Sequence, residues 1–165
     1  MATFEIREPM LMDAEWITRA CQDAEIQRWT VVPRPYEREH ALGFIDNTIN
    51  EAHRWVIEHQ ETNEPVGVIG IHSIDLDTGD ADIGYWIAPW GRRRGAAVHA
   101  LVLVEQFALT VPTIKFLSAH IAETNAASRA TASRAGFIIM GNAQKPCRDG
   151  ENLVHALTYV KHLTR

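Results

Sequence analysis

The chain has 165 residues, 46% hydrophobic and 22% charged, which is enough to bury a substantial core in one domain, residues 1–165, without disulfides or metals. Its net charge of −5 argues against a general affinity for nucleic acid or anionic membrane and makes the local cluster Arg92, Arg93 and Arg94 informative. Cys21 and Cys147 lack any ligand or CxxC spacing, no apolar leader is evident, and no run is long enough to span a bilayer, so a cytoplasmic location with reduced thiols is expected.

TFEIREP alternates and predicts a first strand ended by Pro9. Met10 to Cys21 has helical spacing, with Asp13 as the expected cap. IQRWTVVPRPYE, with its prolines and aromatics, reads as an ordered loop, and Glu37 to Glu51 as a second helix. HRWVIEH, PVGVIGIHSI and ADIGYWIAP are strands separated by the polar turns QETNE and DLDTGD. Ala96 to Thr110 is the longest helix, TIKFLSAHI a strand, and Asn125 to Ala135 a helix closed by Gly136. FIIMG and LVHALTYV finish the chain as strands, the turn CRDGEN lying between them. The order βααβββαβαββ argues an α+β or mixed α/β domain around one sheet, and no GxGxxG supports a dinucleotide-binding fold.

The junction WIAPWGRRRGAA admits two readings: a solvated basic turn, or a cradle for a polyanion. Arginines at a helix N-terminus oppose the macrodipole, which favours an anion there. The small residues Gly95, Ala96 and Ala97 let a ligand approach the unpartnered amides of the first turn, where a pyrophosphate accepts several N–H bonds.

Downstream, NAASRATASRAGF places Asn125 as a helix cap, Ser128 three residues on, and Gly136 before Phe137. With these residues the chain resembles the GNAT superfamily of N-acetyltransferases, specifically the branch containing ribosomal-protein N-terminal-alanine acetyltransferases. Arg92-Arg93-Arg94-Gly95-Ala96-Ala97 matches the family's Gln/Arg-x-x-Gly-x-Gly/Ala phosphate signature in full. The resemblance implies a twisted, mostly antiparallel sheet of about seven strands flanked by about four helices. It also implies a V-shaped splay between ADIGYWIAP and TIKFLSAHI. Acetyl-CoA is then the expected co-substrate, with no metal. Its pantetheine would pair with backbone around Trp86, Ile87 and Ala88, and its pyrophosphate would sit on the loop from Arg92 to Ala97. Asn125 would contact the pantetheine arm, and Ser128 would lie near the sulfur.

Acetyl transfer to an amine needs a proton acceptor, since an alkyl ammonium has a pKa of about 10 and is charged at neutral pH. It also needs an oxyanion donor, which the Ile87 amide would supply, and a partner for the departing thiolate. Strand parity puts Asp82, Gly84 and Trp86 on one face and Ile83, Tyr85 and Ile87 on the other. Asp82 is one candidate base; His120, at a position where some protein N-terminal acetyltransferases carry a glutamate, is another. Each also has a structural reading, as an ion-pair partner or an exposed histidine. Many family members place a tyrosine seven residues after the Asn, but here that position is Ala132, which leaves Ser128 as the residue assigned to the leaving group.

Trp29 and Tyr36 are expected at the acceptor end of the cleft, where with Trp55 and Trp86 they would form an aromatic wall; ordinary core packing is the competing reading. The expected activity is transfer of acetyl from acetyl-CoA to a primary amine, either a protein N-terminus or a small molecule. The alternative is a non-catalytic acyl-CoA-binding or regulatory domain. Nucleic acid and membrane are not expected partners, and the chain is expected to be a monomer or homodimer.

Overall fold

A computed structural model describes residues 3–165. The chain opens with β1 (Phe4–Arg7), a 3-10 turn at Leu11–Asp13, α1 (Ala14–Ala20), α2 (Ala24–Trp29) and α3 (Arg38–Asp46). The strands β2 (His53–His59), β3 (Pro65–Asp75) and β4 (Asp80–Ile87) follow, then a 3-10 turn at Pro89–Gly91 and α4 (Ala96–Ala108). Next come β5 (Phe116–Ala122), α5 (Ala126–Arg134), β6 (Ile138–Asn142), β7 (Cys147–Asp149), β8 (Asn152–Val154) and β9 (Ala156–His162). Seven strands make one sheet in the order β1-β2-β3-β4-β5-β9-β6, and β7-β8 form a separate hairpin. Every pairing is antiparallel except β4 with β5.

Period-two alternation explains why helices cover both faces. Val56 and Val68 turn toward α1, α2 and α3, while their neighbours Ile57 and Ile69 turn toward α4 and α5. Each such buried aliphatic side chain stabilises the fold by about 1.5–3 kcal/mol. On α4, Ala96, Ala100, Val104 and Ala108 repeat at helical spacing and are all buried, so small residues let the helix lie close to the sheet.

Four sequence expectations change. The ordered loop begins with α2, a six-residue helix capped by Asp23, whose carboxylate accepts from Ile26 N–H at 3.0 Å. The helix expected to reach Glu51 stops at Asp46, because Asn47 takes the left-handed conformation at φ 58. The last expected strand divides at His155 into β8 and β9, since His155 Nε2 pairs with Asn142 Oδ1 at 2.9 Å and its carbonyl accepts from Glu123 N–H. Asp13 stands at the N-cap position of α1, but its side chain makes no cap hydrogen bond there. Its carboxylate accepts two bonds from Arg7 at 2.8 and 2.9 Å, one from Met10 N–H and one from Trp16 Nε1.

Candidate active site

The parallel ladder between β4 and β5 is short. Asp80, Ala81 and Asp82 are in register with Phe116, Leu117 and Ser118, and pairing ends there although β4 runs on to Ile87 and β5 to Ala122. The strands therefore part beyond Asp82 and Ser118. On its other side β4 stays fully paired: Ala88 N–H donates to Val66 C=O at 2.8 Å, and Trp86 and Gly84 continue that phase. Because an antiparallel ladder alternates, the amides of Tyr85 and Ile87 point the opposite way, across the opening. This backbone edge has unspent donors and faces a cleft.

At the wide end of β4, the turn Pro89–Gly91 is pinned to β3. Trp90 Nε1 donates to Pro65 C=O at 2.9 Å, and Gly91 packs so near Val66 that a Cβ would lie 2.5 Å from the valine. Arg93 (φ 64) and Gly95 (φ 77) are both left-handed, which turns amides into a concavity of the nest kind. The first-turn amides of α4, at Ala96, Ala97 and Val98, have no side-chain cap. A Cβ on Gly95 would meet nothing within 4 Å. The arginines divide in role: Arg92 pairs with Asp23 at 2.5 Å, Arg94 with Glu64 at 3.4 Å, and Arg93 has no ion pair among the described residues. Arg92's charge is thus already compensated, and the backbone is the stronger part of this anion site.

On the β5 side, Asn125 caps α5 by accepting from Ser128 N–H at 3.2 Å. Ser128 Oγ lies 2.9 Å from the hydroxyl of Tyr85, which reaches over from β4. Burial pushes the Tyr85 pKa up, so the phenol stays protonated. Tyr85 escaped the sequence argument because strand parity records a face and not what lies opposite. Ala132 is buried in the core beneath this helix.

At the vertex, each β4 carboxylate reaches two residues further along β5 than its register partner. Asp80 Oδ1 accepts from Ser118 Oγ at 2.5 Å, and Asp82 Oδ1 lies 3.2 Å from His120 Nδ1. The bond to Asp82 raises the His120 pKa, burial opposes it, and the charges of Asp82 and Asp80 add to the rise while His72 reduces it. His72 is the extra residue of a β-bulge between Ile71 and Ser73 and lies against Gly84, where a Cβ would strike its imidazole. Its Nδ1 is 2.8 Å from Glu51 Oε1, a bond that raises its pKa. A glycine inside the strand ADIGYW was the available signal for that close approach.

The proposed aromatic wall does not form as expected. Trp55 lies on the α4 face, with Phe107 at 5.0 Å between ring centroids, whereas Trp86 packs on the opposite face against Trp16 at 5.8 Å. Tyr36 is 7% exposed and packs in the core with α1 and α3, beside the Cys21 thiol, whose pKa burial pushes up to about 12. Trp29 is half-buried at the end of α2, where Nε1 donates to Glu25 and Arg28 stacks on its ring at 4.3 Å. α2 is a tie between the two sides of the cleft. Asp23 holds Arg92 after β4, while Arg28 holds Asp149 of β7 at 2.7 Å, and Asp149 also accepts from Thr124 just before α5.

A family model for the acetyltransferase (GNAT) domain matches residues 4–138. YoaA, an uncharacterized N-acetyltransferase of Bacillus subtilis (strain 168), is 26% identical over 137 residues, covering 80% of this chain and 77% of that protein. Among solved structures, the ribosomal L7/L12 alpha-N-protein acetyltransferase RimL in complex with coenzyme A is similar, with a TM-score of 0.84 and 20% identity over 98% of this chain and 94% of its own. Spermidine N-acetyltransferase from Vibrio cholerae, in complex with CoA and spermine, has a TM-score of 0.81 and 16% identity over 98% and 96%. At these identities the likeness to solved structures establishes the fold. No helix among the described residues is long and apolar enough to cross a membrane, and no group of His, Cys, Asp and Glu among them is arranged to hold a metal.

Proposed function

We propose, since this chain belongs to the acetyltransferase (GNAT) domain family, that it transfers acetyl from acetyl-CoA to a primary amine at the opening between β4 and β5. The single observation carrying this reading is the pairing of that opening with uncapped first-turn amides beside Gly95, where a diphosphate fits. Acetyl-CoA supplies the activated thioester. Arg93, Arg94, Gly95, Ala96 and Ala97 hold its pyrophosphate, mainly through backbone N–H groups, and Arg92 braces the loop through Asp23. The β4 edge at Trp86, Ile87 and Ala88 receives the pantetheine, and the outward amide of Ile87 donates to the carbonyl oxygen as negative charge develops there. Asn125 fixes the start of α5 and contacts the pantetheine arm, and Ser128 faces the sulfur.

His120, oriented by Asp82, accepts the proton of the acceptor amine. The carboxylates of Asp80, Asp82 and Glu51 around two imidazoles favour a cationic acceptor beside this vertex. RimL is an alpha-N-protein acetyltransferase and the Vibrio cholerae enzyme a spermidine N-acetyltransferase, and both acceptor classes suit such a site. Trp29 on α2 lines the acceptor side; we assign Tyr36 to supporting that side from the core, without contact to the acceptor. Residues 1–165 act as one catalytic domain, because both cores share the same sheet. The cytoplasm is the compartment that suits two unpaired thiols.

The test is thiol release from acetyl-CoA with spermidine, with peptides beginning in Ala or Ser, and with free amino acids. Turnover on at least one acceptor is expected. Tight CoA binding with no thiol release from any acceptor would overturn the catalytic assignment.

A further inference from the structure

Two phenols touch α5, and they do different things. Tyr159, on β9, accepts a bond from Arg129 Nε at 3.0 Å and so is held by a cation. Tyr85, on β4, meets Ser128 Oγ at 2.9 Å, while the Ser128 carbonyl is 3.5 Å away and too distant to compete. Thr131 is the other side chain whose hydrogen bonding bears on this phenol, and neither Ser128 nor Thr131 carries charge.

A direction for the Tyr85–Ser128 bond follows from the relative acidity of the two hydroxyls. A phenol is a stronger donor than an alkyl hydroxyl, and the Tyr85 oxygen stands 2.9 Å from Ser128 Oγ. It therefore donates, and Ser128 Oγ accepts. A helical Ser or Thr ordinarily spends its own proton on the carbonyl four residues back, as Thr131 does with Ala127 at 3.0 Å. Ser128 is instead turned to Tyr85, and it is only half-buried. With Oγ accepting from the phenol, the serine proton is left to point elsewhere.

We infer that Tyr85 is a positioning residue whose phenol fixes Ser128 as a hydrogen-bond donor toward the sulfur of CoA. This rests on the placement of Ser128 beside that sulfur. As the amine nitrogen bonds to the acetyl carbon, the C–S bond breaks and its electron pair goes to sulfur. The proton that nitrogen gives up balances the one the thiolate takes. Between those events Ser128 O–H bonds to the anionic sulfur, and Tyr85 O–H strengthens that donor by polarising it in a chain. Position 132, which holds a methyl group here, leaves the phenol to arrive from the sheet and act through one intervening hydroxyl.

The experiment titrates the thiol of bound CoA by the ultraviolet absorbance of its thiolate, so it needs no acceptor. Wild type is expected to lower the thiol pKa relative to free CoA. Tyr85→Phe, which keeps the ring, is expected to raise the bound value by about one pH unit, in line with one weakened charge-assisted bond. Ser128→Ala should raise it at least as far, and the double variant no further than Ser128→Ala alone. Thermal melting and CoA calorimetry on the same samples report folding and affinity, which a merely structural role would move in place of the titration. A wild-type titration in Tyr85→Phe alongside a shifted Ser128→Ala, or shifts that add, would overturn the role of Tyr85 alone. A wild-type titration in Ser128→Ala would overturn the placement of Ser128 and the inference built on it.

Discussion

Arg92 Nη2 stands 2.5 Å from Asp23 Oδ2, so the residue that opens the basic turn is bonded to the residue that caps α2. One carboxylate does two tasks, since Asp23 also accepts from Ile26 N–H at 3.0 Å. Burial pushes the Asp23 pKa up, but Arg92 and the backbone bonds outweigh it and hold the carboxyl below its ordinary value. Asp23→Ala should lower stability by about 1–2 kcal/mol through the lost cap, with little added by the partly exposed ion pair. Urea unfolding checks this, and calorimetry should show weaker CoA binding as the basic turn loosens. Unchanged affinity would mean that α2 does not brace the turn.

Gly95 combines a φ of 77 with open space where a side chain would go. Gly95→Ala should cost about 1–2 kcal/mol through backbone strain alone, with CoA still binding. Gly95→Glu adds a carboxylate beside the first-turn amides and should abolish CoA binding in calorimetry. If both variants bound CoA equally, the diphosphate would not lie at this corner.

The Asp82–His120 pair fixes the sign of a pH dependence. Asp82 raises the His120 pKa, and only the neutral imidazole accepts a proton, so kcat/KM should climb as pH rises through that raised value. Asp82→Asn removes the largest cause of the rise, so this acid limb should move to lower pH. A limb that stayed in place would remove His120, as paired with Asp82, from the role of base.

Far from the cleft, Arg7 joins Asp13 and Glu58 at 2.8 and 2.7 Å, and Asp13 is only 1% exposed. Arg7→Met would leave a buried carboxylate without its cation and should destabilise the fold by about 3–5 kcal/mol in urea unfolding. Burial pushes the Asp13 pKa up, yet Arg7, Met10 and Trp16 together hold it below its ordinary value. A depressed carboxylate contributes its stability above the unfolded pKa and loses it as pH falls through the folded one. The stability deficit of Arg7→Met relative to wild type should therefore be largest near neutral pH and shrink as pH falls through the range in which Asp13 takes up its proton.

The parts of this protein that depend on near neighbours were readable from the residues alone. Alternation in TFEIREP marked β1, small residues at 95–97 marked an approachable helix start, and Asn125 marked the cap of α5. Each of these expresses a backbone preference or a periodicity within a few residues. The parting of β4 and β5, by contrast, depends on where a ladder between distant segments stops, and no residue of either strand announces that point. The Tyr85–Ser128 bond joins positions 43 apart and the Arg92–Asp23 pair positions 69 apart, so both exist only once the sheet has closed. The bulge that aims His72 at Gly84 and the opposite facing of Trp55 and Trp86 likewise follow from register and strand order. Local chemistry chose the elements, whereas the pairing of remote strands decided which hydroxyl, carboxylate and imidazole would meet.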